Sequence, residues 1–430
     1  MFKKFVLPAV ALAAITSCSS DEVLNTNSNP DGQDYISFNT VVGNNSRVSE
    51  ITGDELNTVG KQFYVVAYGD ESFYFDRQLA TYKAAAGEGE SQTLAGFYLD
   101  NNYYWPSYKL TFAAWYPTTG FTVTKPTDVA QGDRHQIVDY SIPLIQANEQ
   151  DIIIAREQLE KPVSGTAAQL NFRHIFSQIE VCAKYAGRYG EGSNADKPLV
   201  KVEVGGVSLR YMRNTGTFTF PSHVTAAGNN ANSLATTDWV MKDINKSSMT
   251  EGGTGDNIVA RFDRTIATTT LGNEFVSLNG TVKSNGKITT NNNFLVIPQD
   301  FENFAWDETK DANGSYLSVK VRISMLQADG TYKQYYPAVA ESEEEGDFGW
   351  AAVGLFSSLE SLIPGQRYVV NLSFSDESAG KGDPDPDPED PEKPGEDILG
   401  KPIYFTVTVT DWVNASETNI PGEATNTPGA

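Results

Sequence analysis

The sequence predicts an all-β protein of the sandwich type. Apolar and polar residues alternate with a period of two almost everywhere, Thr, Val, Tyr and Phe dominate the apolar runs, and clusters of Gly, Asn and Asp separate them. Short strands at regular spacing with turn chemistry between them belong to sandwiches; βαβ units would interpose helical periods. With 430 residues the chain has room for two or three ordinary domains.

The first segment is not part of the fold. Lys3 and Lys4 form a basic start, Phe5 to Ile15 a short apolar run, and Ile15-Thr16-Ser17-Cys18 a lipobox-like cleavage site. The pattern is that of a bacterial lipoprotein signal, cut between Ser17 and Cys18 and acylated on Cys18. A single acyl chain holds a membrane only marginally, whereas several on one amino-terminal Cys make a stable anchor. The apolar run is too short to span a bilayer, which takes about 20 residues. Residues 18–34 then read as a lipidated tether, and Ser19-Ser20-Asp21-Glu22 resembles the acidic surface-export tag of lipoproteins from the Bacteroidetes.

Strands are expected at Tyr35 to Val42, Phe63 to Tyr68, Leu110 to Tyr116, Ala168 to Phe172, Gln178 to Ala183, Val200 to Tyr211 and Thr215 to Phe220. Further strands are expected at Asn293 to Ile297, Tyr316 to Met325, Tyr332 to Ala338, Arg367 to Phe374 and Pro402 to Val413. Helix is confined to short pieces at Arg173 to Phe176 and Leu355 to Leu359. The turn cluster at Tyr189 to Lys197 marks the domain boundary, giving units at 35–192 and 193–413 and a polar tail at 414–430. Within the second unit, Asp376 to Asp397 repeats Pro with acid and has little to bury, so it reads as a stiff, exposed spacer outside any sheet.

Two strands carry the functional reading. In the first, Ile36, Phe38, Thr40 and Val42 share one face, and the polar loop Gly43-Asn44-Asn45-Ser46-Arg47-Val48 follows. Exposed loops of small polar residues are where proteases cut. Cleavage at Arg47 would free the strand and leave a groove in its sheet. In the last strand, Ile403, Phe405, Val407 and Val409 form an apolar face that has to be paired and buried somewhere.

Composition excludes several functions. A formal net charge of −23 argues against nucleic acid and against an electrostatic hold on anionic lipid. Once Cys18 is acylated, Cys182 is the remaining thiol, so no internal disulfide forms and Cys182 reads as a small core residue. His135, His174 and His223 are isolated, without metal-ligand spacing, and His174 between Phe172 and Phe176 reads as a packed or capping residue. The carboxylates cluster in solvated runs such as 341–345 rather than facing each other across a cleft. No catalytic constellation is present, and no cofactor is expected.

The chain resembles the fimbrillin family of the Bacteroidetes. The matching segments are the tag around Cys18, Tyr35-Ile-Ser-Phe-Asn-Thr with Arg47 soon after, Tyr103-Tyr-Trp-Pro, Leu110-Thr-Phe-Ala-Ala-Trp-Tyr-Pro and Asp151-Ile-Ile-Ile-Ala. Asn171-Phe-Arg-His-Ile-Phe-Ser-Gln-Ile-Glu-Val and the closing Pro402-Ile-Tyr-Phe-Thr-Val-Thr-Val-Thr-Asp-Trp complete them. The resemblance implies two tandem transthyretin-like Greek-key β-sandwich domains and a structural or adhesive pilus subunit in the fimbrium. It further implies outer-membrane attachment through acyl chains before processing, and cleavage of the Arg47–Val48 bond by an Arg-specific protease. The strand from Tyr35 to Val42 would then be lost, and a neighbouring subunit would fill the groove with its carboxy-terminal region.

If the last strand forms a hairpin with Arg367 to Phe374, the usual arrangement for consecutive antiparallel strands, the subunit accepts a strand without giving one. That would make it a tip or accessory pilin. Partners are then other pilin subunits, with room for a ligand on a host or bacterial surface. Two other readings stay open. One is a surface glycan-binding lipoprotein, with Trp105, Trp115, Trp306, Trp350 and Tyr335-Tyr336 as a stacking platform. The other is a pilus anchor that keeps its lipid and first strand.

Overall fold

The computed structural model describes residues 34–42, 51, 53–69, 72–87, 93–130, 133–144, 148–162, 166–221, 234–241, 259–282, 288–291, 293–301, 305–306, 312–313, 315–339, 347–354, 359, 361–382 and 395–411. The regular structure of these residues is mostly β-strand, joined by turns and loops. One helical turn, α1 (Gly53–Leu56), follows the first strand, and short 3-10 turns occur at Gly192–Asn194 and Thr236–Asp238.

Seven strands close into a barrel: β1 (Ser37–Val42), β2 (Gln62–Tyr68), β3 (Phe73–Lys83), β4 (Gly96–Leu99), β5 (Leu110–Tyr116), β8 (Ile153–Leu159) and β9 (Ala168–His174), with β6 (Val123–Thr124) and β7 (Gln136–Ser141) outside it. The order around the barrel is β1-β4-β3-β2-β5-β8-β9, and β9 returns to β1. Closure removes the edges that a flat sheet of this size would expose. All neighbours run antiparallel except β1 and β9, which are parallel. Alternation sends Phe63, Val65, Phe112, Ala114, Ile153 and Ala155 into the barrel core. The intervening Val66, Tyr68, Ala113, Trp115 and Ile154 face outward into a second core.

A four-stranded sheet carries part of that second core: β13 (Trp239–Met241), β12 (Thr215–Thr219), β7 and β6, in that order. Ile137, Phe218, Phe220 and Trp239 share the second core with the outer barrel face. Two larger sheets complete it. In one, β10 (Ser177–Tyr185) pairs in parallel with β24 (Gln366–Phe374) and antiparallel with β15 (Val276–Ser277) and β18 (Phe294–Val296), while β26 (Tyr404–Asp411) lies on the far side of β24. The other runs β14 (Val259–Thr270), β11 (Val200–Arg213), β21 (Tyr316–Leu326), β23 (Gly349–Val353) and β25 (Lys381–Gly382), with β22 (Tyr332–Tyr336) on β21. Val181, Ala183, Val370 and Leu372 from the first sheet and Val202, Val204, Val321 and Ile323 from the second belong to the same core. Two hairpins, β16 (Gly280–Val282) with β17 (Ile288–Asn291) and β19 (Ala305–Trp306) with β20 (Ala312–Asn313), stand apart from these sheets.

The all-β expectation holds, and each expected strand overlaps an observed one. The first unit, however, is a closed barrel rather than an open sandwich, because β1 bridges β4 and β9. Arg173 to Phe176 is not helical: Arg173 and His174 end β9, and a bend at Ile175 and Phe176 leads straight into β10. Residues 355–358 of the second expected helix lie outside the described residues. The cluster at Tyr189 to Lys197 is a loop between β10 and β11, closed by a bridge from Tyr189 to Pro198.

The acidic spacer is shorter than its composition suggests. Lys381 and Gly382 form β25 against Ala352 and Ala351, Lys381 bridges Asp397, and Ala379 and Ile398 are buried. Both ends of the Pro-acid repeat are thus tied to the fold by backbone pairing and two small apolar anchors. The repeat itself, 383–394, lies outside the described residues.

Candidate functional site

The groove that holds β1 is built almost entirely from side chains of the barrel interior. Ile36, Phe38, Thr40 and Val42 all point inward and are buried, Phe38 completely at 0% exposure, while Val41 on the outer face is 45% exposed. The Phe38 ring meets Phe112 edge-on at 5.3 Å and Phe63 at 6.1 Å, and Phe63 in turn packs on Phe97 at 4.6 Å and Phe172 at 5.2 Å. Thr40 is the polar member of the row, and its Oγ1 donates to Asn57 Oδ1 at 2.7 Å. The inward Thr is satisfied rather than stranded.

Backbone pairing holds the strand on both sides. Five residue pairs, Phe38↔Ala168 to Val42↔Phe172, join β1 to β9, and Ser37 and Phe38 pair with Tyr98 and Phe97 of β4. Just ahead of β1, the Ile36 N–H donates to the Tyr103 carbonyl at 2.8 Å and the Trp105 N–H donates to the Asp34 carbonyl at 3.2 Å. The Tyr35 and Tyr104 rings lie 4.7 Å apart. Gly96 lets β4 approach: a Cβ there would sit 3.1 Å from the Phe38 carbonyl oxygen and 3.2 Å from Asn39 Oδ1.

The chain downstream of the loop is anchored independently. The Ile51 N–H donates to Asp151 Oδ2 at 3.3 Å, and the same oxygen pairs with His174 Nδ1 at 2.7 Å. Ile51 and Leu56 of α1 are buried in the barrel core. The sequence reading missed Asp151 and Asn57 as fastenings, since a lone acid before an Ile run and an Asn in a turn carry no distinctive signal. A cut between Val42 and Ile51 would separate a strand from a barrel that grips each side of the break on its own.

Arg47 and Val48 fall in that interval, and both lie outside the described residues, as do Ser17 and Cys18. His174 is packed, as its place between Phe172 and Phe176 suggested, and it pairs with Asp151, a partner the sequence did not reveal. Cys182 is half-buried on the outward side of β10 rather than in the core, where Val181 and Ala183 point. Among the described residues, no group of three or more His, Cys, Asp or Glu is placed to hold a metal ion.

At the other end of the chain, β26 pairs along eight residues with β24, from Ser373↔Tyr404 to Gln366↔Asp411. The hairpin expected from the sequence is present. Its apolar face is only partly covered: Ile403, just before the strand, is buried, Phe405 and Val407 pack half-buried against the second core, and Val409 is 48% exposed. Burial fades because β26 is the last strand of its sheet among the described residues and the core ends beneath it. The aromatic platform does not form. Trp105, Trp115, Trp350 and Tyr336 are buried, Tyr335 alone of the Tyr pair is exposed, and the Trp306 side chain lies outside the described residues.

The class is therefore an all-β protein whose first strand closes a barrel around an aromatic core. The chain belongs to the fimbrillin-like family, whose profile matches residues 46–412. Among solved structures it is similar to a fimbrial protein of Bacteroides vulgatus, at 10% identity and a TM-score of 0.46, over 88% of this chain and 99% of that one. A proposed cell adhesion protein of Bacteroides eggerthii matches at 10% identity and a TM-score of 0.39, over 88% and 97% of the two chains. Another, from Bacteroides uniformis, matches at 14% identity and a TM-score of 0.36, over 90% and 100%. No curated protein matches the sequence.

Proposed function

We propose that this fimbrillin-like protein is a pilus subunit, exported as a surface lipoprotein and assembled by strand exchange at the groove of β1. In this reading the signal is cut between Ser17 and Cys18, Cys18 is acylated at the outer membrane, and the Arg47–Val48 bond is later cleaved. The segment Tyr35 to Val42 leaves, and a strand of another pilin subunit takes its place. The two units, 35–192 and 193–413, would be the tandem domains of the fibre, the first of them closed by β1 into a barrel.

The single observation that carries the reading is the placement of β1 between β4 and β9, with Ile36, Phe38 and Val42 buried. Each such side chain stabilises its buried position by roughly 1.5–3 kcal/mol, and each ladder hydrogen bond adds about 1 kcal/mol net. Removing the strand forfeits an amount comparable to the roughly 5–15 kcal/mol that separates a folded domain from its unfolded chain. An emptied groove is therefore strongly driven to refill, and β-strand addition from a neighbour satisfies backbone and pockets together. Because donor and acceptor surfaces differ, the contact is head to tail and extends as an open filament.

The pairing of β26 with β24 supports a subunit that accepts a strand and keeps its own last strand, which suits a tip or accessory position. A test is the ladder of boiling-resistant species in material sheared from cells. Arg-specific proteolysis should produce the ladder, and Arg47→Ala should leave only unprocessed monomer. A ladder undiminished in Arg47→Ala cells would overturn the assignment of the cleavage site.

A further inference from the structure

The inward row of β1 has one polar member, and its partner lies on the part of the chain that a cut at Arg47 would leave behind. Thr40 is 8% exposed, and its hydroxyl donates to Asn57 Oδ1 at 2.7 Å. Asn57 is half-buried just after α1, where its N–H donates to the Gly53 carbonyl at 2.9 Å and the preceding Leu56 is buried in the barrel core. Neither the Gly53 carbonyl nor the Leu56 anchor belongs to β1.

An apolar row alone does not fix where a strand sits along its groove. A slip of one residue turns the row outward, but a slip of two keeps every side chain on the same face. Asn57 separates these registers. With the strand moved so that Val42 takes the place of Thr40, the Asn57 amide meets hydrocarbon and Thr40 lands among Phe63 and Phe112, the rings that hold Phe38. Moved the other way, Phe38 itself meets the amide. Either slip leaves a half-buried polar group facing carbon, and a single polar residue sets register in other apolar seams by the same means.

We propose that Asn57 selects the strand that fills this groove. The incoming segment runs parallel to β9 and antiparallel to β4, as β1 does, with an inward row of apolar, Phe, Thr and apolar residues whose hydroxyl meets Asn57. This selection rests on strand exchange at the groove of β1, proposed above, and specifies the chemistry of the partner segment. It also bears on self-assembly. Ile403, Phe405, Val407 and Val409 repeat the row Ile36, Phe38, Thr40 and Val42 at every position but the third, where Val407 stands in place of Thr40. The last strand of this chain lacks the hydroxyl that its own groove selects, which favours a different subunit as donor.

The test uses the full chain cut at Arg47, freed of the released segment in urea and refolded with a fluorescent peptide of residues 35–42, which unlabelled peptides then displace. The expected result is that the 35–42 peptide binds about fivefold more tightly than its Thr40→Val form. In an Asn57→Leu chain the order should reverse, because the hydroxyl is then the group left facing carbon. The 402–409 peptide should gain affinity from Val407→Thr in the wild-type groove and lose it in the Asn57→Leu groove. Should Asn57→Leu fail to fold by circular dichroism, Asn57→Ala carries the comparison and should erase the preference for Thr. A 35–42 peptide that does not bind at all would remove strand exchange at this groove, and the selection with it. A peptide that binds equally well with Thr40→Val, or a preference for Thr that persists without Asn57, would overturn the selection and leave exchange standing.

Discussion

The ring of Phe38 stands edge-on to that of Phe112, 5.3 Å away and inclined at 82°, so the strand nearest the amino terminus is keyed into the centre of the barrel. An aromatic side chain at 0% exposure leaves a large void when truncated. Phe38→Ala should cost about 3–5 kcal/mol of unfolding free energy in urea titration. Val41→Lys, on the exposed side of the same strand, should stay within about 0.5 kcal/mol. Equal losses at the two positions would mean that β1 is not seated as described.

The buried His135 makes the fold sensitive to acid. Its ring hydrogen-bonds the Tyr68 hydroxyl, and desolvation lowers its pKa from 6.5 to about 4, with Asp76 pulling upward and Arg77 and Lys125 downward. The unfolded chain takes up the proton near 6.5, so this contribution is complete above that pH and is lost as pH falls toward 4. Between about pH 7.5 and about pH 5 the loss amounts to roughly 2 kcal/mol. His135→Phe should flatten that slope while lowering stability by about 1 kcal/mol throughout for the lost hydrogen bond. Urea titrations at the two pH values check it, and an unchanged slope would contradict the assignment.

The role of β26 is testable by locking it. Val370 and Val407 are directly opposed in the antiparallel pair of β24 and β26, at the Cα separation of about 4.5–5.5 Å that suits a disulfide. A Val370→Cys/Val407→Cys chain should cross-link without loss of stability and still enter fibres at the wild-type level. Exclusion of the oxidised chain, reversed by reductant, would show that β26 must leave its hairpin to serve as a donor.

Much of this architecture was legible in the sequence because burial in a sheet writes itself as alternation. Ile36, Phe38, Thr40 and Val42 point inward as their spacing requires, and Arg367 to Phe374 pairs with the last strand as sequential neighbours usually do. Strands that cross between cores were harder to read. Ile153 to Leu159 opens with three apolar residues because both its faces are covered, one by the barrel interior and one by the second core. Phe73 to Lys83 was hidden by the polar run Asp76-Arg77-Gln78, where Arg77 adopts a positive φ of 39° near a break in register with β2.

Long-range partners had no local signal at all. The parallel pairing of β10 with β24 joins residues far apart in sequence, and no pattern within either strand names the other. The same holds for the burial of Arg156. In Ala155-Arg156-Glu157-Gln158 the Arg reads as a solvated charge, and only the sheet packed over it turns it into a buried one.

Strand exchange requires that β1 be expendable in the assembled state and that another molecule complete the barrel. Mass spectrometry of the amino terminus of this subunit, purified from boiling-resistant fibres, tests it most directly. Strand exchange predicts peptides beginning at Val48, with Tyr35 to Arg47 absent. Fibre-derived protein that retains Tyr35 would contradict it.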